Sequence, residues 1–181
     1  IKIVVSGKGG HAAAPHHTID PVVTGSKIIV ELQTLISREL SPLESGVISI
    51  TMVNAGTATN VIPPEMELQG TIRSLTNEGI SQLQTRVKEV AESIAKANRC
   101  EVKVTFPGND YPPTINDAEC WELGKLAAGE ILGNDKVLEM SSIMGGEDFA
   151  YYTQEVPGCF SFIGVGNPDI DAIYDVHHPM F

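Results

Sequence analysis

The 181-residue sequence predicts an α/β fold in two pieces. Three observations predict it. Over residues 1–112 the apolar spacing alternates between a period of two and a period of about 3.6, in the order strand, helix, strand, strand, helix, strand. A stretch rich in Gly, Pro, Asn and Asp, from Pro107 to Pro113, then interrupts the pattern. Beyond it, apolar runs that do not alternate are interleaved with helical spacing, as in strands covered on both faces.

The first piece reads as follows. Ile1–Val5 is a short β-rich run. Asp20 followed by Pro21 starts a helix, a capping carboxylate and then a residue with preset φ. Val23, Ile29, Val30, Ile36 and Leu40 are expected to share its apolar face. Val47–Val53 alternates, with Ile48, Ile50 and Met52 on one side. Glu65–Arg73 alternates with Met66, Leu68 and Ile72 inward. Thr76 caps a second helix whose apolar residues, Ile80, Leu83, Val87, Val90 and Ile94, keep helical spacing over four turns. Cys100–Phe106 alternates again, with Val102, Val104 and Phe106 inward. The order βαββαβ is the ferredoxin-like split unit, an antiparallel sheet with two helices on one face.

The second piece, residues 113–181, is expected to hold a helix from Asp117 to Leu132 and a strand at Val137–Met140. A Gly-Gly turn then leads into a short helix from Glu147 to about Thr153, and a strand follows at Cys159–Val165. Strands buried on both faces need neighbours and covering helices that this piece does not contain. It therefore reads as the C-terminal part of a doubly wound α/β domain whose first half lies upstream. An opening inside an apolar run, without Met or a signal peptide, fits that expectation.

The formal charge of −11 is unevenly spread. Residues 1–112 carry 10 basic and 11 acidic side chains, and residues 113–181 carry 2 and 12. An acidic chain without a basic stripe argues against nucleic acid as a partner. A βαββαβ RNA-binding module would also need exposed aromatics on its central strands, and 47–53 and 65–73 have none. No apolar run reaches the roughly 18 residues of a membrane span. Cys100, Cys120 and Cys159 show neither zinc-site nor redox spacing and lean towards a reducing, cytoplasmic compartment.

Five stretches could carry chemistry. Gly7-Lys8-Gly9-Gly10-His11 follows the first strand. No Lys-Ser/Thr follows its glycines, so a nucleotide loop is excluded. His11 is presented at a loop tip, with His16 and His17 nearby, and this His-rich tip reads either as a metal-binding loop or as a polar loop. Asn60, in Thr57–Pro64, could hydrogen-bond a substrate or serve turn chemistry. Arg73 could clamp a carboxylate through two parallel N–H bonds or be an exposed strand residue. Gly145-Gly146-Glu147-Asp148-Phe149 resembles a ligand turn at the end of a parallel strand, although its acids could equally complement a helix dipole. His177, with Asp175 close by in Asp175-Val176-His177-His178-Pro179-Met180-Phe181, is a candidate metal ligand or part of a tail.

Taken in order, Gly7–His17 with Asp20-Pro21, Ala55–Pro63, Gly70–Arg73, Gly145–Phe149 and His177–Phe181 resemble one family. It is the dinuclear-metal amidohydrolases and aminoacylases, which include hippurate hydrolase, N-acyl amino acid amidohydrolase and the auxin (indole-3-acetyl) amino acid conjugate hydrolases. The resemblance implies a βαββαβ lid or dimerisation domain (1–112) and the C-terminal part of a metal-dependent catalytic domain (113–181). It implies two divalent ions, zinc or manganese, with most ligands and the general base upstream, so that residues 1–181 alone are expected to be inactive. It implies an N-acyl amino acid as substrate and a homodimer formed through the lid.

Residue by residue, His11 resembles the lid histidine that reaches the scissile carbonyl of the neighbouring subunit's site. Asn60 resembles a second lid residue crossing to that site, and Arg73 the residue that binds the substrate carboxylate. Gly145 and Gly146 match the substrate-lining turn, and His177 matches the C-terminal metal ligand. Glu147 and Asp148 match positions whose role stays unassigned. Two alternatives remain: a non-catalytic dimerisation or regulatory module derived from the family, and a related dipeptidase or carboxypeptidase.

Overall fold

The computed structural model describes residues 1–108 and 111–179. Four antiparallel strands form the main sheet: β1 (Lys2–Ser6), β3 (Gly46–Ala55), β5 (Glu65–Ser74) and β6 (Glu101–Thr105). Their spatial order is β3-β5-β1-β6, the ferredoxin-like arrangement. A two-residue ribbon, β2 (Gly10–His11) with β4 (Val61–Ile62), stands apart from it.

Helices α1 (Pro21–Thr34) and α2 (Asn77–Ala97) cover one face of the sheet. Each starts where its cap predicts. The Asp20 carboxylate accepts from the Val22 and Val23 amides at 2.8 and 3.2 Å, and the Thr76 hydroxyl accepts from the Gly79 amide at 3.0 Å. Ile3 and Val5 of β1, Met66, Leu68 and Ile72 of β5, and Leu83 and Val87 of α2 meet in one buried core. On β6, Val102 and Val104 pack against it from the sheet edge, as does Phe106 just beyond the strand.

Two inward faces differ from the sequence reading. On α1 the buried stripe is Pro21, Thr24, Gly25, Ile28 and Leu32, continuing to Leu35, whereas Val30 is 68% exposed and Val23 is also open. The helix then widens into a π-turn over Leu35–Glu39, closed by the Leu40 amide on the Leu35 carbonyl at 2.9 Å. Arg86 of α2 holds that turn, gripping both Glu39 carboxylate oxygens (2.7 and 2.9 Å) and pairing with Glu89. On β3 a bulge between Ile50 and Met52 shifts the register, so Met52 opposes Gln69 and leaves the core face that Ile48 and Ile50 occupy.

Beyond Phe106 the chain runs into the segment 107–113, expected as a boundary, of which Asn109 and Asp110 lie outside the described residues. Helix α3 (Ala118–Leu132) begins at its Asp117 cap, and α4 spans Phe149–Glu155, two residues later than its spacing predicts. The segments 137–140 and 159–165 pair with no strand among the described residues, contrary to the sequence reading. Their apolar side chains are open, with Leu138 85% and Ile163 84% exposed. A strand is a pairing rather than a local conformation, and without partner N–H and C=O groups an apolar run stays unladdered. No helix among the described residues is long and apolar enough to cross a membrane.

Candidate functional site

The glycine-rich segment after β1 builds a platform for His11. Lys8 and Ile19 exchange backbone hydrogen bonds at 2.8 and 2.9 Å, and the Gly7 amide donates to the Pro64 carbonyl at 2.8 Å. The chains approach so closely that a Cβ on Gly7 would lie 2.2 Å from the Ile19 carbonyl oxygen. A Cβ on Gly9 would lie 2.8 Å from the carbonyl oxygen of Ile62. No side chain fits at either position without moving backbone.

The ribbon then sets His11 opposite Val61 and Gly10 opposite Ile62. The Ala12 amide donates to the Asn60 carbonyl at 2.9 Å. His11 and Asn60, distant in sequence, therefore sit side by side. The Ala13 amide donates to His11 Nδ1 at 3.1 Å. That bond occupies the Nδ1 lone pair, so in the neutral ring the proton resides on Nε2. The exposed imidazole thus presents an Nε2–H donor outward. Among the described residues the exposed Asn60 carboxamide has no hydrogen-bond partner.

Arg73 lies near the far end of β5, opposite Val47. Its Nη1 donates to the Ile72 carbonyl at 3.1 Å, and the rest of its guanidinium fork is unengaged among the described residues. It opens onto a groove of about 610 Å³ that Gly145 and Glu147 also line. Trp121 and Lys125, one turn apart on α3, line this groove too, with the Lys125 ammonium 4.5 Å from the Trp121 ring centre and 3.0 Å from Glu139. Sequence reasoning passed over both. Their i, i+4 spacing, which puts the two side chains on one face of α3, was the available signal.

Gly146 lies under Tyr111, where a Cβ would be 3.1 Å from the ring. The carbonyls of Glu147 and Asp148 accept from the Ala150 and Tyr151 amides at 3.2 and 3.1 Å, so the two acids open α4. The Asp148 side chain makes no capping bond.

His177 sits in an exposed turn at φ 70° and does not line the groove. His178 stacks on Tyr174 at 3.9 Å between ring centres. Met180 and Phe181 of this motif lie outside the described residues. Among the described residues no three His, Cys, Asp or Glu side chains converge as a metal site. The donors present thus do not fit a dinuclear centre by themselves.

The two halves of the candidate site are far apart. The ribbon adjoins the start of β5, through the Gly7–Pro64 bond, and Arg73 is near its end. At about 3.3 Å per residue, the nine steps from Pro64 to Arg73 span roughly 30 Å.

Residues 1–99 match the M20 family described as the peptidase dimerisation domain. The chain is 40% identical over 183 aligned positions to IAA-amino acid hydrolase ILR1-like 4 of Arabidopsis thaliana, covering 99% of this chain and 42% of that protein. It is 36% identical over 180 positions to N-acetyl-L-cysteine deacetylase of Bacillus subtilis (strain 168), covering 99% and 41%. The Bacillus subtilis YXEP protein, a dinuclear metal binding peptidase from the M20 family, superimposes with a TM-score of 0.68 at 31% identity, covering 88% of this chain and 38% of that one. The chain thus spans about two-fifths of the length of these curated relatives.

Proposed function

Because the chain belongs to the M20 peptidase dimerisation-domain family, we propose that it forms the lid and the C-terminal portion of a metal-dependent amidohydrolase that cleaves N-acyl amino acids as a homodimer. The lid takes up residues 1–112, and residues 113–181 belong to the catalytic domain. An amino acid is common to the names of the two sequence relatives above, and Arg73 supplies the group that would read its carboxylate.

The division of labour follows from the side chains. Arg73 binds the substrate carboxylate through its guanidinium fork. The Gly145-Gly146 turn beside it leaves room for the amide. As water adds to the amide carbonyl, negative charge collects on the oxygen. His11, with its proton on Nε2, donates to that oxygen, and the Asn60 carboxamide adds a second donor. Two divalent ions, zinc or manganese, would activate the water. His177 offers one ligand to them, and the remaining ligands are not among the described residues.

The observation that carries the dimeric reading is the roughly 30 Å between the ribbon and Arg73. The carboxylate and scissile carbonyl of an N-acyl amino acid are only a few bonds apart. One chain cannot place His11 and Arg73 on one such molecule, and two chains related by a two-fold axis can.

Complementation tests this. In the full-length protein, His11→Ala should lower kcat by roughly 10²–10³, and Arg73→Ala should abolish activity at low substrate concentration. In a mixed dimer, one site carries both defects and the other carries none. Subunit exchange, verified by native mass spectrometry, should restore about half of one wild-type dimer's activity per heterodimer. No recovery after verified exchange, or a fully active monomer by light scattering, would refute the shared site.

A further inference from the structure

Two of the three cysteines lie on segments of the second piece that hydrogen bonds bring together. Asn116 forms a reciprocal pair with Phe160: its Nδ2 donates to the Phe160 carbonyl at 3.1 Å, and the Phe160 amide donates to its Oδ1 at 2.8 Å. The Asp117 amide donates to the Gly158 carbonyl at 2.9 Å. These three bonds clamp the start of α3 against segment 158–160, with Cys159 at the centre of the clamp. Cys120 lies one turn into α3, its amide bound to the Asp117 carboxylate at 2.9 Å.

Both thiols are free, and both are only partly buried. Cys159 Sγ has Phe160 O at 3.9 Å and Ser161 Oγ at 3.7 Å as its polar neighbours. Burial pushes the Cys120 thiol up first, then the Asp117 carboxylate, with smaller contributions from Cys159 and Glu119. Cys100 is different: it is buried in the lid core, 3.2 Å from the Thr24 hydroxyl.

We propose that Cys120 and Cys159 form an oxidation-sensitive pair that closes to a disulfide when a hydroperoxide reaches it. The Cys159 thiolate attacks one peroxide oxygen, breaks the O–O bond and becomes a sulfenic acid, while the other oxygen leaves as hydroxide and takes a proton to become water. The Cys120 sulfur then attacks the Cys159 sulfur, its proton passes to the departing hydroxyl, and a second water leaves. In sum, two thiols and one hydrogen peroxide give one disulfide and two waters. Bridging requires Cα atoms within about 7 Å of each other, and the Asp117–Gly158 backbone bond, with the Asn116 side chain on Phe160, holds the first turn of α3 against the segment that carries Cys159. Asn116, Trp121 and Phe160 also line the groove beside Arg73, so the bridge fastens one wall of that groove.

The test uses the full-length native protein, reduced, desalted, exposed to hydrogen peroxide, alkylated and mapped by peptide mass. The expected product is the Cys120 peptide joined to the Cys159 peptide, lighter by two hydrogens than the separate thiols. Cys100 should remain a thiol that alkylates only after unfolding. Cys120→Ser should leave Cys159 as sulfinic or sulfonic acid with no cross-link, and Cys159→Ser should leave Cys120 a thiol under the same exposure. The same treatment in denaturant should lose the preference for this pair. Native wild-type protein whose Cys120 and Cys159 stay thiols, oxidise separately or link to Cys100 would overturn the proposal.

Discussion

His11 stands beyond the start of β5 and Arg73 lies near its far end, with roughly 30 Å of chain from Pro64 to Arg73 between them. The ribbon that holds His11 is tied to the start of that strand through the Gly7–Pro64 hydrogen bond, and Arg73 faces Val47 near its end. A ten-residue strand is a rigid spacer, so no side-chain rotation brings the two groups onto one small substrate within a single chain. The proposed sharing of the site between two subunits follows from that distance.

Arg73→Ala in the full-length protein should mainly raise KM for N-acyl amino acids and leave the corresponding amides, which lack the carboxylate, nearly unaffected. Loss of a charge-assisted clamp should cost on the order of 2–5 kcal/mol on the acid substrates. Steady-state kinetics on matched acid and amide pairs decide this. Equal losses on both would make Arg73 a structural residue.

Gly7→Ala should displace the platform under His11. Its new methyl group would meet the Ile19 carbonyl at 2.2 Å, where backbone rather than a flexible side chain must yield. Overpacking of this kind typically costs about 1–3 kcal/mol. Chemical denaturation should show that loss, and kcat should fall with it because the ribbon carrying His11 moves. Unchanged stability and unchanged kcat would show that the close approach is not needed.

The Asp117 carboxyl is held below the usual carboxylate range, first by the Cys120 amide, against the opposing effect of burial, and with help from the Cys120 side chain and the Glu119 amide. A folded-state value below the unfolded one adds stability that is present at neutral pH. That stability is lost as pH falls through the folded value. The wild type should therefore lose α3 stability on acidification more steeply than Asp117→Asn, which keeps an accepting oxygen but no charge. Denaturation midpoints measured from neutral to acidic pH check this, and parallel profiles for the two proteins would contradict it.

Much of the first piece was legible in the sequence because its signals are local. The Asp20 and Thr76 caps, the Met66–Leu68–Ile72 face and the α2 stripe each depend on a few neighbouring residues. Met52 was misplaced because a bulge is decided by the partner strand, not by the alternation of its own. The α1 stripe was read out of phase because Thr24, Gly25, Ile28 and Leu32, rather than Val23 and Val30, face the sheet. At Gly25 a Cβ would lie 2.4 Å from the Met66 sulfur of β5, so close packing sets a glycine at the centre of the stripe, and hydrophobicity alone does not report that.

By itself the sequence determined the order of elements, the helix starts and the residue types that could bind a carboxylate or a developing oxyanion, because periodicity, capping and side-chain chemistry are written into short stretches. Only the tertiary structure decided that His11 and Asn60 are neighbours, that Arg73 is a strand's length away from both, and that the start of α3 is clamped to the segment carrying Cys159. The same limit applies to segments 137–140 and 159–165, whose apolar runs favour strands but find no partner among the described residues. The physical reason is common to all of these. Register, pairing and separation are properties of two segments at once, set by hydrogen bonds between backbones that no single stretch of sequence contains.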